Sequence, residues 1–201
     1  MRCPVNSLRL LIAPCLLLAL AGSMSCSTYQ NFAVYQSDTA LIALGELPAG
    51  YPSLGPNHHP YTIEPKKLLT LLEPLEYREN SILPFAWGQP RRVFTVNQGK
   101  TLAQELSKAF GMALPQEVVA FTVADEEKPD RRTKGFTFIV GDELHLILEE
   151  LRKPSYLGEQ KTYQPQAHRW ELIPGNSQRF YASRPEGKGT VPQWVICPLK
   201  P

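Results

Sequence analysis

Two alternating apolar runs on either side of Gly141-Asp142 constrain the fold more than any other feature of the chain. Every second position is apolar at Phe136, Phe138, Val140, Leu144, Leu146 and Leu148. A period of two is typical of a β-strand with one buried face, and Gly-Asp suits a two-residue turn. The sequence therefore predicts an antiparallel hairpin. His145 lies between two leucines of that hairpin, so we expect its side chain to face away from the core.

Two segments are predicted to be helical. The first begins at Pro65, because proline suits the first helical position, and Pro74 should end or kink it. The second follows Asn97, the expected cap, and stops at Pro115. Apolar residues recur at helical spacing within it, at Leu102, Leu106, Ala109, Phe110 and Ala113.

Shorter strands are expected elsewhere. These are Tyr61-Thr62-Ile63, Val93-Phe94-Thr95-Val96, a strand from Val118 to Val123, and a last strand at Trp194-Val195-Ile196-Cys197. A second hairpin is expected over residues 165–182, with its turn at Pro174-Gly175-Asn176-Ser177. The predicted fold class is α+β: a mostly antiparallel sheet of hairpins with one or two helices packed on one face.

The first 25 residues predict export from the cytoplasm. Arg2 and Arg9 are their only charges, residues 8–21 are mostly apolar, and residues 19–25 are mostly small. A basic end, an apolar run and small residues before a cut are typical of a signal peptide. The apolar run is shorter than the roughly 20 residues that a membrane-spanning helix needs.

The end of this leader, Ser23-Met24-Ser25-Cys26, resembles the lipobox of bacterial lipoproteins. Ser25 and Cys26 match the family pattern, whereas Ser23 stands where leucine is usual. The resemblance implies that Cys26 is lipidated and, with Ser27 after it, that the protein is anchored on the periplasmic side of the outer membrane. Ordinary cleavage after Ser25 or Ala21, which would secrete the protein to the periplasm, and an uncleaved leader are the alternatives.

Three segments follow from these features. Residues 1–25 form the signal peptide, residues 26–60 form a lipidated N-terminus and tether, and residues 61–201 form a single α+β domain. Proline and glycine are dense between residues 48 and 57, which is typical of irregular structure. A helical turn is expected within the tether over residues 39–44.

The mature chain is formally neutral. The full chain has 21 basic and 19 acidic residues, and the leader removes two arginines and no acid. This balance argues against nucleic acid as a partner. Cys197 is left without a cysteine to pair with, and its apolar neighbours predict a buried, inert thiol.

Few residues qualify as candidate ligands or catalysts. His58 and His59 are weak candidate metal ligands, perhaps joined by His145 or His168, but adjacent histidines point apart in an extended chain. Gly99-Lys100-Thr101 resembles part of a phosphate-binding loop, yet Phe94 stands where that loop needs its first glycine. We therefore expect no catalytic residue, no metal and no cofactor.

Two functions remain from different classes. The first is a lipid-anchored, non-catalytic binding or structural module of the cell envelope, with a protein, lipid or polysaccharide partner. The alternative is an exported hydrolase or metal-dependent enzyme that gathers His58, His59 and His145 with acidic residues. A cleft holding these side chains together would favour the enzyme.

Overall fold

The computed structural model describes residues 31–52, 54–79, 88–155, 170–183 and 189–200. Its helices are α1 (Pro65–Leu72) and α2 (Val96–Met112). Its strands are β1 (Phe32–Gln36), β2 (Ala40–Gly45), β3 (Glu76–Glu79), β4 (Arg91–Arg92), β5 (Val118–Ala124), β6 (Arg131–Val140), β7 (Glu143–Pro154), β8 (Trp170–Ile173), β9 (Arg179–Ala182) and β10 (Thr190–Pro198).

The strands form two antiparallel sheets. The large sheet has the order β1-β2-β5-β6-β7-β10-β9, and the small sheet has the order β4-β3-β8. With two helices beside these sheets, the predicted α+β class is confirmed.

The central hairpin is confirmed in detail. Val140 pairs with Glu143, so Gly141-Asp142 forms a two-residue turn between β6 and β7. Gly141 has a φ of 60°, in the left-handed region that such turns require and that glycine adopts without a Cβ clash. Strand β5 is confirmed as well, and it pairs with β6.

Both predicted helices are present, but the second begins earlier than expected. Thr95, rather than Asn97, is its cap: the Thr95 hydroxyl accepts a hydrogen bond from the Gln98 amide at 3.2 Å, and the Gln98 side chain accepts one from the Thr95 amide. This reciprocal capping box satisfies two amides that would otherwise lack partners. The strand predicted at Val93-Phe94-Thr95-Val96 is therefore wrong, because the helix takes its last residues.

The predicted tether over residues 26–60 does not hold for residues 32–45. Strands β1 and β2 occupy that segment and pair with each other, and β2 pairs with β5 along its length. The expected helical turn at residues 39–44 is wrong for the same reason. Ile42 and Leu44 are buried in the core, and this burial beside β5 decides the conformation.

The C-terminal hairpin is also wrong in its pairing. The segments on either side of the predicted turn at residues 174–177 are strands, but β8 pairs with β3 in the small sheet and β9 pairs with β10 in the large sheet. Residues 165–169 lie outside the described part of the chain. Turn-forming residues indicate where the chain reverses, whereas the strand partner depends on packing. Residues 61–63, predicted as a strand, are irregular.

The large sheet has two different faces. On the helix-covered face, alternate residues of β2, β5 and β7 join residues of α1 and α2 in one buried cluster that includes Ile42, Phe121, Leu146, Leu68 and Leu106. On the other face, here called the open face, a smaller cluster forms around Phe138 and Trp194. Leu47, Tyr51 and Leu54, from the Pro- and Gly-rich segment after β2, pack against that smaller cluster.

Candidate binding surface

A single row of paired residues crosses the open face of the large sheet. Successive strand pairings connect Ala33, Ala43, Ala120, Phe136, Ile147 and Trp194. The side chains therefore increase in size from the β1 edge towards β10. The sheet surface is recessed where the row consists of alanines. Where the row consists of aromatic and branched residues, the surface projects further, and the segment that contains Tyr51 covers it.

A groove of about 1730 Å³ runs along the recessed part of the open face and extends to the small sheet, where Glu79, Arg91 and Trp170 line it. Its floor includes Ala33, Ala43, Gly45 and Ala120, and its sides include Tyr51 and Val191. Small-molecule sites usually have volumes of roughly 300–1,000 Å³. The groove is larger than such a site and is open, which suits an extended or macromolecular ligand.

The end of the groove next to the β5–β6 loop is charged but balanced. The charged residues that line the groove are six acidic and six basic: Glu46, Glu79, Asp125, Glu127, Glu149, Glu150, Arg91, Lys128, Arg131, Lys134, Arg152 and Lys153. Several are paired with each other, as in Lys134–Glu150 at 3.0 Å. A polyanion would need an uncompensated basic surface, so this balance favours a neutral or mixed-charge ligand.

Arg152 lies at this charged end in a strained conformation. Its φ is 46°, although it is not glycine, and its amide donates a hydrogen bond to the Thr133 hydroxyl at 3.3 Å. Its guanidinium lies 3.4 Å from the Asp125 carboxylate and 5.9 Å from the ring centre of Tyr77. The irregular register between β6 and β7 at this point allows the Arg152 side chain to reach both.

Tyr77 occupies the space between the two sheets. It is fully buried, its hydroxyl has no hydrogen-bond partner among the described residues, and the Arg91 guanidinium lies 5.1 Å from its ring centre. Burial raises the pKa of Tyr77, so its phenol stays protonated at neutral pH. A protonated phenol between two arginines that are themselves paired with carboxylates offers no general base.

His145 is buried, although it does point away from the leucines beside it. Its ring stacks on Phe138 with centroids 5.1 Å apart, and its Nδ1 accepts a hydrogen bond from Trp194 Nε1 at 3.1 Å. Burial and, to a smaller extent, the positive charge of Arg179 lower the pKa of His145 to about 4. The predicted alternation in β7 is confirmed, since His145 faces away from the main core, but it is buried all the same because the second face has a core of its own.

The structure separates His58 from His59 instead of bringing them to one site. His58 is exposed, and its Nδ1 lies 3.1 Å from the Gly141 carbonyl. His59 is buried, and its Nε2 accepts a hydrogen bond from the Ile139 amide at 3.2 Å. Burial lowers the pKa of His59 to about 4, so the ring is neutral at physiological pH. Both side chains thus fasten the irregular segment to the end of the central hairpin.

Gly99-Lys100-Thr101 lies within the first turns of α2. A Cβ on Gly99 would stand 3.4 Å from a methyl group of Leu69 on α1, which shows how closely the two helices approach at this point. The glycine therefore allows the two helices to pack closely. Its segment is the start of a helix, as predicted.

The remaining candidates have structural surroundings. Cys197 is buried, as predicted, and burial raises the pKa of its thiol to about 12. Glu150 is paired with Lys134 and Lys153. No group of three metal-ligating side chains converges within the described residues, and His168 lies outside them.

Cys26 and the segment that resembles a lipobox also lie outside the described residues, so lipidation stays a prediction. Among the helices in the described ranges, none is both long and apolar enough to cross a bilayer. No protein-family model matches the chain, and neither a curated protein nor a solved structure shows significant similarity to it.

The alanines of the groove floor were not identified from the sequence. Within β2, large residues at Ile42 and Leu44 alternate with small ones at Ala43 and Gly45. That alternation would indicate that one face of the strand is uncovered, but only after the segment has been recognised as a strand. Once it was interpreted as a tether, its small residues carried no signal.

Proposed function

We propose that this protein is a bacterial lipoprotein, anchored through Cys26 to the periplasmic side of the outer membrane, whose domain binds a partner in the cell envelope without catalysis. The groove on the open face of the large sheet is its binding surface. The partner that suits this surface best is an extended segment of another envelope protein.

The contrast between the two faces of the sheet supports this proposal. The helices bury one face, whereas the β1, β2 and β5 part of the other face has a floor of alanines and glycine. Small side chains let a polypeptide backbone approach closely, and the mixed charges at the end of the groove can pair with side chains of either sign. A large stretch of sheet left uncovered in this way is typical of an interaction surface.

Other envelope partners suit the groove less well. Polysaccharide recognition relies on exposed aromatic faces, whereas Tyr51, Phe136 and Trp170, which line the groove, are all partly buried. Nucleic acid would need a basic excess, which the lining lacks. The alternative of a hydrolase or metal-dependent enzyme has no site among the described residues that gathers His58, His59 and His145.

The anchor is tested by replacing Cys26 with alanine. We expect Cys26→Ala to move the protein from the membrane fraction to the soluble fraction while the unfolding midpoint of the domain stays the same, because acyl chains contribute about 0.8 kcal/mol per buried CH₂ to membrane binding. Fractionation after a high-salt wash, together with circular dichroism, measures both properties. A mutant that still sediments with membranes would show that Cys26 is not the anchor.

The groove is tested by photo-cross-linking in intact envelopes. A benzoyl-phenylalanine at Thr122, on the open face beside Leu41, should form a defined adduct with a protein, and one at Lys66, exposed on α1, should not. Ala120→Arg puts a long charged side chain on the groove floor and should lower the adduct yield about tenfold or more, which corresponds to about 1.4 kcal/mol of binding free energy.

Thr70→Arg is the matched control, because it adds the same charge on the exposed side of α1. Equal adduct yields for Ala120→Arg and Thr70→Arg would show that the partner does not use the groove. An adduct that resists protease but is removed by polysaccharide-degrading enzymes would show that the partner is a polysaccharide and not a polypeptide.

A further inference from the structure

We infer that the end of the domain carrying Phe32, Met112 and Leu114 lies directly on the lipid bilayer, which orients the groove relative to the membrane. This inference rests on the proposed lipidation of Cys26. The three residues are referred to below as the apolar end.

The chain between the anchor and the fold is short. Strand β1 begins at Phe32, so five residues separate it from Cys26. Even fully extended, at 3.3–3.6 Å per residue, the chain from Cys26 to Phe32 spans only about 20 Å. A lipidated Cys26 therefore holds the first residue of β1 close to the bilayer surface, whatever path the intervening residues take.

Leu114 lies at the same end of the large sheet as Phe32. Phe32 pairs with Leu44, and Leu44 pairs with Val119 near the start of β5. The turn that precedes β5 contains Leu114, whose carbonyl accepts a hydrogen bond from the Glu117 amide at 2.9 Å. Phe32 and the loop between α2 and β5 therefore lie at the same end of the domain.

Met112 projects from the flank of α2 that faces away from α1. Ser107 marks the other flank, since its hydroxyl donates to the Ile63 carbonyl, just before α1, at 2.6 Å. Met112 is seven residues from Glu105, which puts the two on one side of the helix, about 140° of helical rotation from Ser107. Helix α2, which ends at Met112, also contacts β1, which begins at Phe32.

Large apolar side chains are exposed at this end to an unusual degree. Phe32 is 58% exposed, Met112 is 52% exposed and Leu114 is 49% exposed. These are three of the five large hydrophobic residues that are exposed within the described residues. Clustering of such side chains at the point where the lipid anchor enters is expected if they contact acyl chains or the membrane interface.

The sequence of β1 is consistent with this position. Edge strands that face water usually carry charges that prevent pairing with other chains. Among the described edge strands, β4 contains Arg91 and Arg92, β8 contains Glu171, and β9 contains Arg179, whereas β1 (FAVYQ) has no charge. With the bilayer across the Phe32 end of β1, another sheet edge cannot approach the first residues of this uncharged strand from that side.

The orientation has a consequence for the groove. Strand β5 has seven residues and is about 23 Å long at 3.3 Å per residue. The charged end of the groove, with Asp125, Lys128 and Arg131, follows the far end of β5. That end therefore points away from the membrane into the periplasm, where a partner can reach it.

Spin labels on the lipidated protein, reconstituted in phosphatidylethanolamine–phosphatidylglycerol vesicles, test the orientation. Met112→Cys labels the apolar end, and Lys128→Cys labels the opposite end. Cys26 is blocked by lipid, and the buried Cys197 has a raised pKa and is unreactive. We expect the ratio of oxygen accessibility to nickel-chelate accessibility to be several-fold higher at 112 than at 128, because oxygen partitions into the bilayer and the chelate does not.

A second variant separates docking from tethering. Phe32→Asp together with Leu114→Asp, both at exposed positions, should lower the ratio at label 112 to the value at label 128 while the protein stays on the vesicles. Unchanged circular dichroism and unfolding midpoint are the check that the domain remains folded.

Each outcome bears on one of the two proposals. If mass spectrometry finds no lipid on Cys26, the lipoprotein function is wrong, and the orientation that depends on it is wrong too. If Cys26 is lipidated but labels 112 and 128 have equal ratios, the docking surface alone is wrong. A short distance between labels at 112 in two copies, persisting in dilute detergent, would make the apolar end a dimer interface and overturn membrane docking.

Discussion

The two faces of the large sheet share the same strands but differ in what covers them. On the helix-covered face, Leu144, Leu146 and Leu148 of β7 join a cluster that includes both helices. On the open face, Ile147 joins a smaller cluster that one irregular segment covers, and towards β1 the face is a groove with a floor of alanines. One face therefore provides most of the stability, and the other leaves surface available for a partner.

Polar groups occur on both faces, in different surroundings. His145 lies on the open face, where Trp194 supplies a hydrogen-bond donor, and Thr122 and Lys134 lie in the groove. On the helix-covered face, Thr137 is fully buried beside Val119 and Leu146, and its hydroxyl has no hydrogen-bond partner among the described residues. Mutations of apolar residues on the two faces should differ in size, because only one face is covered by the helices.

The largest expected effect is truncation on the helix-covered face. Leu146 is fully buried, so Leu146→Ala should lower the free energy of unfolding by about 2–5 kcal/mol, from lost transfer free energy and the remaining cavity. Thr122→Ala, in the groove and on β5, which β6 separates from β7 in the same sheet, should change it by less than about 1 kcal/mol. Urea unfolding of both variants measures the difference, and equal losses would mean that the open face is packed as tightly as the covered one.

For each group involved, a somewhat smaller effect is expected from acid. Burial lowers the folded-state pKa of His145 and of His59 to about 4, below the ordinary histidine value of 6.5 that applies to the unfolded chain. Between these values the unfolded state binds the proton and the folded state does not, so stability falls as the pH falls from 6.5 to 4. Each histidine should contribute up to about 3 kcal/mol to this loss.

Glutamine replacements separate the two histidines. The amide oxygen of His145→Gln can still accept from Trp194, and that of His59→Gln can accept from the Ile139 amide, while neither variant titrates. Each should flatten the dependence of unfolding free energy on pH between 7 and 4, and the double variant should flatten it most. A profile as steep as that of the wild type in the double variant would assign the acid sensitivity to other groups.

The smallest effect concerns an exposed ion pair on the open face. The Arg179 guanidinium lies 2.7 Å from the Glu143 carboxylate, and both side chains are substantially exposed. Arg179→Gln should therefore change the unfolding free energy by no more than about 1 kcal/mol, and the change should shrink with added salt. A loss of several kcal/mol, or one that salt does not reduce, would show that Arg179 stabilises the aromatic cluster by packing.

Local patterns predicted some elements well and others poorly. Pro65, the leucines of α1 and the apolar spacing of α2 gave correct helices, and Gly141-Asp142 gave the correct turn. The pattern of a capping box at Thr95 and Gln98 is present in the sequence, but Thr95 was predicted to lie in a strand and Asn97 to be the cap. The candidate site residues His58 and His59 are positioned by hydrogen bonds to backbone groups of the central hairpin. No spacing in the sequence indicates these partners.

By itself, the sequence determined the α+β class, the central hairpin and its turn, both helices, and the burial of Cys197, because each depends on residues close together in the chain. Only the tertiary structure decided that β1 and β2 complete the large sheet, that β8 and β9 go to different sheets, and that His145 is buried. Those outcomes depend on contacts between distant segments, whose packing free energy outweighs local propensity. The groove belongs to the second group, since a row of alanines becomes a floor only when strands from distant parts of the chain are paired in register.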